Sequence, residues 1–182
     1  MKKNKLLFII ILVVISFATL SAELIQLKQI KLSKKNGGYA NGESWNSNSL
    51  LGKTNLIIYV DPDKMSDIKD FVSILEEKKF NKNKVDITYI VNTKATIIPT
   101  FIIKSKIKER AENDKEIAYV LDNDKVLVKN WQLTDNSANV LILSKRNRQL
   151  YHYSKKMNDK QIEIVLSIVE NEMNKKNKLE EK

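Results

Sequence analysis

Asp61, Asp63 and Asp67 crowd one short stretch, Val60-Asp61-Pro62-Asp63-Lys64-Met65-Ser66-Asp67, and Asp70 follows one helical turn on. Oxygen ligands at such spacing suit Ca²⁺ or Mg²⁺, and paired carboxylates suit acid–base work. The glycine and terminal glutamate of an EF-hand loop are missing, however. Asp-Pro-Asp is also ordinary turn and helix N-terminal chemistry, so no metal is expected. His152 stands alone in Gln149-Leu150-Tyr151-His152-Tyr153. An imidazole there could act as a base near neutral pH. Strand alternation puts it on one face and the two tyrosines on the other, and the sequence ties no serine or acid to it. Asp122-Asn123-Asp124 looks like a fragment of a calcium loop and is read as a tight hairpin turn. Trp45 and Trp131 each adjoin an asparagine. A tryptophan can line a ligand or peptide groove, although anchoring a core is its commoner use. If the chain carries a binding surface, Trp45, Asn46, Asp61, Trp131 and Gln132 are its best candidates.

Composition removes most other chemistry. There is no cysteine in the 182 residues, which excludes disulfides, thiolate catalysis and cysteine-ligated metal. One histidine cannot build a multi-histidine metal site, and four glycines leave no phosphate-cradling loop. No cofactor is expected. The formal charge is +10, but only Arg110, Arg146 and Arg148 among the 32 basic residues are arginine. Nucleic-acid readers favour arginine. The abundance of lysine, asparagine and isoleucine fits an AT-rich coding bias, so no nucleic-acid partner is expected.

The N-terminus reads as an export signal. Met1-Lys2-Lys3-Asn4-Lys5 is basic, Leu6 to Phe17 is apolar but for Ser16, and small residues follow. That is the layout of a secretory signal peptide, with cleavage expected after Ser21. An uncleaved segment would be a membrane anchor, though its apolar run is shorter than the ~20 residues that span a bilayer. The expected organisation is a signal peptide over 1–21, one domain over 22–174 and a charged, flexible tail over 175–182. The mature domain lies outside the cytoplasm, in the periplasm, and meets a membrane only if the N-terminal segment stays attached.

Strands and helices alternate through the rest. Leu24 to Leu32 reads as a first strand, Asn36-Gly37-Gly38 and Asn41-Gly42 as turns, and Leu56 to Val60 as a buried central strand. A helical stripe through Met65, Ile68, Val72 and Leu75 follows, with Ser66 as its N-cap. Val85 to Val91 is a second strand, ended by Asn92-Thr93. Pro99 suits the first turn of a helix. Ile97 to Ile103 is expected to bury against the sheet, a membrane or partner face being the alternative. Ile117 to Leu121 and Val126 to Val128 are short strand candidates. Val140 to Leu143 and Gln149 to Tyr153 flank a five-residue hairpin loop. A last helix starts near Asn158 with Gln161 as capping partner. The order is strand–helix–strand–helix, a hairpin, then a closing helix. This is an α/β chain of thioredoxin-like topology, βαβ then ββα, with extra N-terminal strands. Two hallmarks are absent together: the redox Cys-x-x-Cys, where Asp61-Pro62-Asp63-Lys64 stands, and the cis-proline, where Asn136-Ser137-Ala138 stands.

Three stretches carry a family resemblance. Ser44-Trp45-Asn46-Ser47-Asn48-Ser49-Leu50-Leu51-Gly52-Lys53 precedes a buried strand. Ile90-Val91-Asn92-Thr93 has a proline a few residues on. Asn130-Trp131-Gln132-Leu133 leads to Ser137-Ala138 and an apolar strand. In this order they resemble the YtfJ family of periplasmic thioredoxin-like proteins. The resemblance implies fold and compartment and supplies no catalytic residues. The expected function is a non-redox binding or interaction module whose partner is a periplasmic protein or peptide. The alternative is an enzyme using Asp61, Asp63 or His152.

Overall fold

A computed structural model describes residues 24–78 and 80–175. The expected signal segment and nearly all of the charged tail lie outside them. In chain order the elements are β1 (Lys31–Leu32), β2 (Gly37–Tyr39), β3 (Trp45–Asn46), β4 (Thr54–Val60), α1 (Lys69–Glu77), β5 (Val85–Asn92), α2 (Thr100–Asn113), β6 (Ile117–Asp122), α3 (Val126–Trp131), β7 (Ala138–Leu143), β8 (Gln149–Tyr153) and α4 (Asp159–Asn174).

The uncharged run at 54–60 becomes the middle of the main sheet, and all seven of its residues are buried. The sheet order is β2-β6-β5-β4-β7-β8. β4, β5 and β6 are parallel, with Val60 beside Val91 and Leu121 beside Val91. β7 runs antiparallel to β4, pairing Ala138 with Val60. The C-terminal ends of β4, β5 and β6 therefore meet the start of β7 at one edge.

Each face of the sheet has its own core. Leu56, Ile58 and Val60 pack with Phe71 and Leu75 of α1, Ile103 and Ile107 of α2, and Val165 and Val169 of α4. Ile57 and Tyr59 point to the other face, where Leu27, Ile30, Leu32 and Trp45 pack with Leu127 and Trp131. Period-two alternation divides these strand residues between the two layers. Asn158 caps α4 by accepting the Gln161 N–H at 3.1 Å, as its position suggests.

Several local expectations change. Leu24 to Leu32 is mostly irregular, with a single bridge from Gln26 to Arg148 ahead of the two-residue β1. It adheres through Leu27 and Ile30 and needs no ladder. Gly37 and Gly38 form an edge strand where a turn was expected. A Cβ on Gly37 would sit 1.9 Å from the Leu121 carbonyl oxygen, so only glycine lets β2 approach β6 there. Ser66 does not cap a helix: Pro62 to Asp67 winds as a 3-10 turn, and α1 begins at Lys69. Val126 to Val128 is helical, and Asp122-Asn123-Asp124 is no hairpin turn. Asp122 accepts the Val126 and Leu127 N–H groups at 2.9 and 2.8 Å, which starts α3. Finally, only Ile103 of the Ile97–Ile103 run is buried. Ile97 and Phe101 are 98% and 73% exposed, and Ile98 and Ile102 are also exposed.

Candidate functional site

The meeting edge of β4, β5, β6 and β7 is where an open α/β sheet places ligands, beyond the carboxyl ends of its parallel strands. Here it gathers Asp61, Asn92, Asp122 and Ser137. Asp61 leaves β4 with 1% of its surface exposed. Its Oδ1 accepts from Asn92 Nδ2 at 2.7 Å, and its Oδ2 accepts from the Ser137 backbone N–H at 2.9 Å. The Asp61 backbone N–H in turn donates to the Ser137 carbonyl. The side chain thus ties β4 to the end of β5 and to the loop before β7. Burial pushes its carboxyl above the usual carboxylate range, against the lowering pull of the Asn92 and Ser137 bonds.

Asp122 makes the neighbouring tie. Besides starting α3 it accepts the Tyr59 hydroxyl at 3.2 Å, and it is completely buried. Burial, with Asp122 and then Asp61 nearby, holds the Tyr59 phenol far above its ordinary range. Asn92 and Ser137, the two partners of Asp61, were not singled out as site residues by the sequence. The signal available was topological: Asn92-Thr93 ends the strand next to the one that Asp61 ends.

The other candidate residues fall in different places. Asp63 is exposed and accepts the Thr96 hydroxyl at 3.0 Å. His152 pairs with Leu141 of the second core, whereas Tyr151 and Tyr153 pack against the first, as the alternation expected. Its Nε2 lies 2.9 Å from Asn139 Oδ1, an acceptor, so Nε2 carries the proton. Burial lowers the His152 pKa, which keeps the ring neutral. No hydrogen bond among the described residues joins His152 to Asp61 or Asp63, and no cluster there of three or more His, Asp or Glu side chains could hold a metal.

Trp45 and Trp131 meet edge to face, 6.2 Å between ring centroids, and both are buried in the second core. Trp131 Nε1–H donates to the Lys28 carbonyl at 2.8 Å. Of their neighbours, Asn46 is exposed and accepts the Asn48 N–H, and exposed Gln132 ends α3 with φ at 55°. Trp45 and Trp131 come together as packing, whereas Asp61 serves the strand ends.

A groove of about 230 Å³ opens beside Asp61. Val60, Met65, Tyr89 and Val91 line it along with Ile98 and Ile102, and Lys106 and Arg110 stand at its border. The Tyr89 hydroxyl points to Met65 Sδ, and burial keeps that phenol protonated. The concavity is mainly apolar.

Comparison with known proteins agrees with this architecture. A member of the Sco family of cytochrome c oxidase assembly proteins superposes with a TM-score of 0.56 at 12% identity, covering 85% of this chain and 96% of its own. A thiol-disulfide isomerase of Corynebacterium glutamicum gives 0.56 at 10% identity, covering 86% and 99%. Peroxiredoxin Q of Xanthomonas campestris gives 0.54 at 15%, covering 80% and 92%. These likenesses establish a thioredoxin-like fold, here without a single cysteine. An uncharacterized protein of Haemophilus influenzae is 25% identical over 153 residues, 82% of this chain and 81% of that one. The model of a bacterial protein family of unknown function, YtfJ_HI0045, matches residues 21–172. On that match, spanning most of its length, the chain belongs to the YtfJ family.

Proposed function

We propose that this protein is a binding or interaction module on a thioredoxin scaffold, exported from the cytoplasm and free of redox chemistry of its own. The observation that carries the reading is Asp61. Where the scaffold places its reactive thiol, this chain places a buried carboxylate with both oxygens engaged by Asn92 and Ser137. The group acts as a tie, and the apolar groove beside it is the surface left for recognition. Support for export is the basic and apolar sequence of the first 21 residues. An enzyme built on Asp61, Asp63 and His152 has less support, because no hydrogen bond among the described residues joins the three side chains.

The test is catalytic silence. Thiol–disulfide exchange needs a thiolate nucleophile, and a thioether such as that of Met65 cannot form the mixed disulfide. The purified chain, supplied with a thioredoxin reductant, is expected to show no insulin reduction or peroxide consumption above the buffer rate. Turnover that follows the protein across a size-exclusion peak would contradict the reading.

A further inference from the structure

The segment joining β5 to α2 breaks the rule that a long apolar run should be buried. Ile97 is 98% exposed, Phe101 73%, Ile98 39% and Ile102 36%. They sit together at the start of α2, because Pro99 begins the helix and its buried residues, Ile103 and Ile107, come later along it. Large apolar side chains gathered at one exposed place mark a docking surface.

The charges around this tip say what it docks to. Between residues 94 and 110 the basic residues are Lys94, Lys104, Lys106, Lys108 and Arg110, and the acidic residue is Glu109 alone. Lys94, Lys104 and Lys106 are exposed and make no ion pair among the described residues. Lys108 has one distant partner, Glu112 at 3.9 Å. Asp63, in the turn before α1, accepts the Thr96 hydroxyl of this loop. Lys106 borders the groove that Ile98 and Ile102 line, and Lys94 and Lys104 flank the apolar run along the chain, so the tip with its unpaired lysines matches an anionic lipid surface. The isoleucines and phenylalanine reach below the headgroups while the ammonium groups stay at the phosphates. The projection of Ile97, open on nearly every side, suits insertion into a yielding phase better than it suits a rigid protein surface.

We infer that the Ile97–Phe101 tip, with the flanking Lys94, Lys104 and Lys106, docks the folded domain onto membranes rich in anionic phospholipid. The inference rests on the binding-module reading and names its partner. It is separate from any anchoring by the N-terminal segment.

The absence of cysteine makes the test clean. Ile97→Cys in the full chain gives a single attachment point for an environment-sensitive fluorophore, and a side chain 98% exposed can be replaced without touching the core. Vesicles of phosphatidylcholine alone are compared with vesicles in which half the lipid is phosphatidylglycerol. The expected result is a blue-shifted, brightened emission on the anionic vesicles, with quenching by lipids brominated on their acyl chains. Adding Lys94→Glu and Lys106→Glu should raise the lipid concentration for half-maximal response at least about tenfold. The same label at Lys129→Cys, on α3, should not respond, which separates the tip from binding through the N-terminal segment. No emission change on either vesicle would overturn the inference, as would an equal change on both. Emission already blue-shifted without lipid and falling on dilution would assign the face to a second copy of the chain and overturn it too. Each of these failures leaves the thiol assay, and hence the binding-module reading, untouched.

Discussion

Trp45→Ala is expected to cost about 3–5 kcal/mol of folding stability, the range for deleting a buried tryptophan side chain. Trp45 has no exposed surface and packs edge to face on Trp131 within the core that joins the N-terminal segment to the sheet. Urea unfolding checks this as a lower midpoint with little change in slope. The same value separates two uses of a tryptophan. A loss near 1 kcal/mol or less would mean that the ring is not a plug and is free to serve a ligand, in conflict with its burial. Trp131→Phe should cost less, since the ring is kept in outline and the 2.8 Å bond to the Lys28 carbonyl is lost.

Asp61→Ala is expected to be comparably damaging, about 2–5 kcal/mol, because it orphans two buried donors. Asn92 Nδ2 and the Ser137 N–H would each lose their acceptor, and an unpaired buried polar group costs about 1–3 kcal/mol. Asp61→Asn keeps the shape and one acceptor, so it should cost less. It also has a pH signature. The folded pKa of Asp61 lies above its ordinary value of 3.8. As pH rises past 3.8 the unfolded chain ionises first, and the folded chain holds the proton longer. Stability from this group is therefore complete below 3.8 and falls as pH rises through the folded pKa. Asp61→Asn should remove that fall, so the gap between the two proteins narrows with rising pH over the window. Asp135 acts in the other direction. Its hydrogen bond from Lys125 lowers its pKa, and its contribution is lost only as pH drops below 3.8. His152, lowered by burial, loses stability as pH falls below 6.5. The His152 contribution is present in wild type and variant and cancels, whereas Asp135, whose charge also raises the Asp61 pKa, cancels only in part.

Much of the scaffold is legible from sequence because burial leaves a simple mark. The seven-residue β4 is buried throughout, and its five-residue apolar run without charge announces it. The hairpin of β7 and β8 encloses Ser144 to Arg148 as its spacing suggests, and Asn158 caps α4 from its expected place. What is not legible depends on distant partners. Val126-Leu127-Val128 has the β-branched composition of a strand, yet Asp122 starts a helix there by accepting two of its N–H groups. Asp61 is visible as a junction aspartate, but Asn92 and Ser137 lie 31 and 76 residues away and nothing local pairs them with it. The run Ile97 to Ile103 has the composition of a core segment. Its exposure follows from where Pro99 starts α2 over the sheet, a tertiary fact that local periodicity does not contain.

Asp61 is closed to chemistry in the native protein if it acts as a tie, and carbodiimide coupling of a glycine ester at mildly acidic pH, located by peptide mass spectrometry, tests this directly. Exposed Asp63 and Asp124 report the rate for open carboxylates on the same chain. The prediction is that both label readily while Asp61 stays unmodified until the protein is unfolded by urea, as its 1% exposure and two accepted hydrogen bonds require. Native labelling of Asp61 at the rate of Asp63 would show a reachable acid at the strand–helix junction and contradict the account.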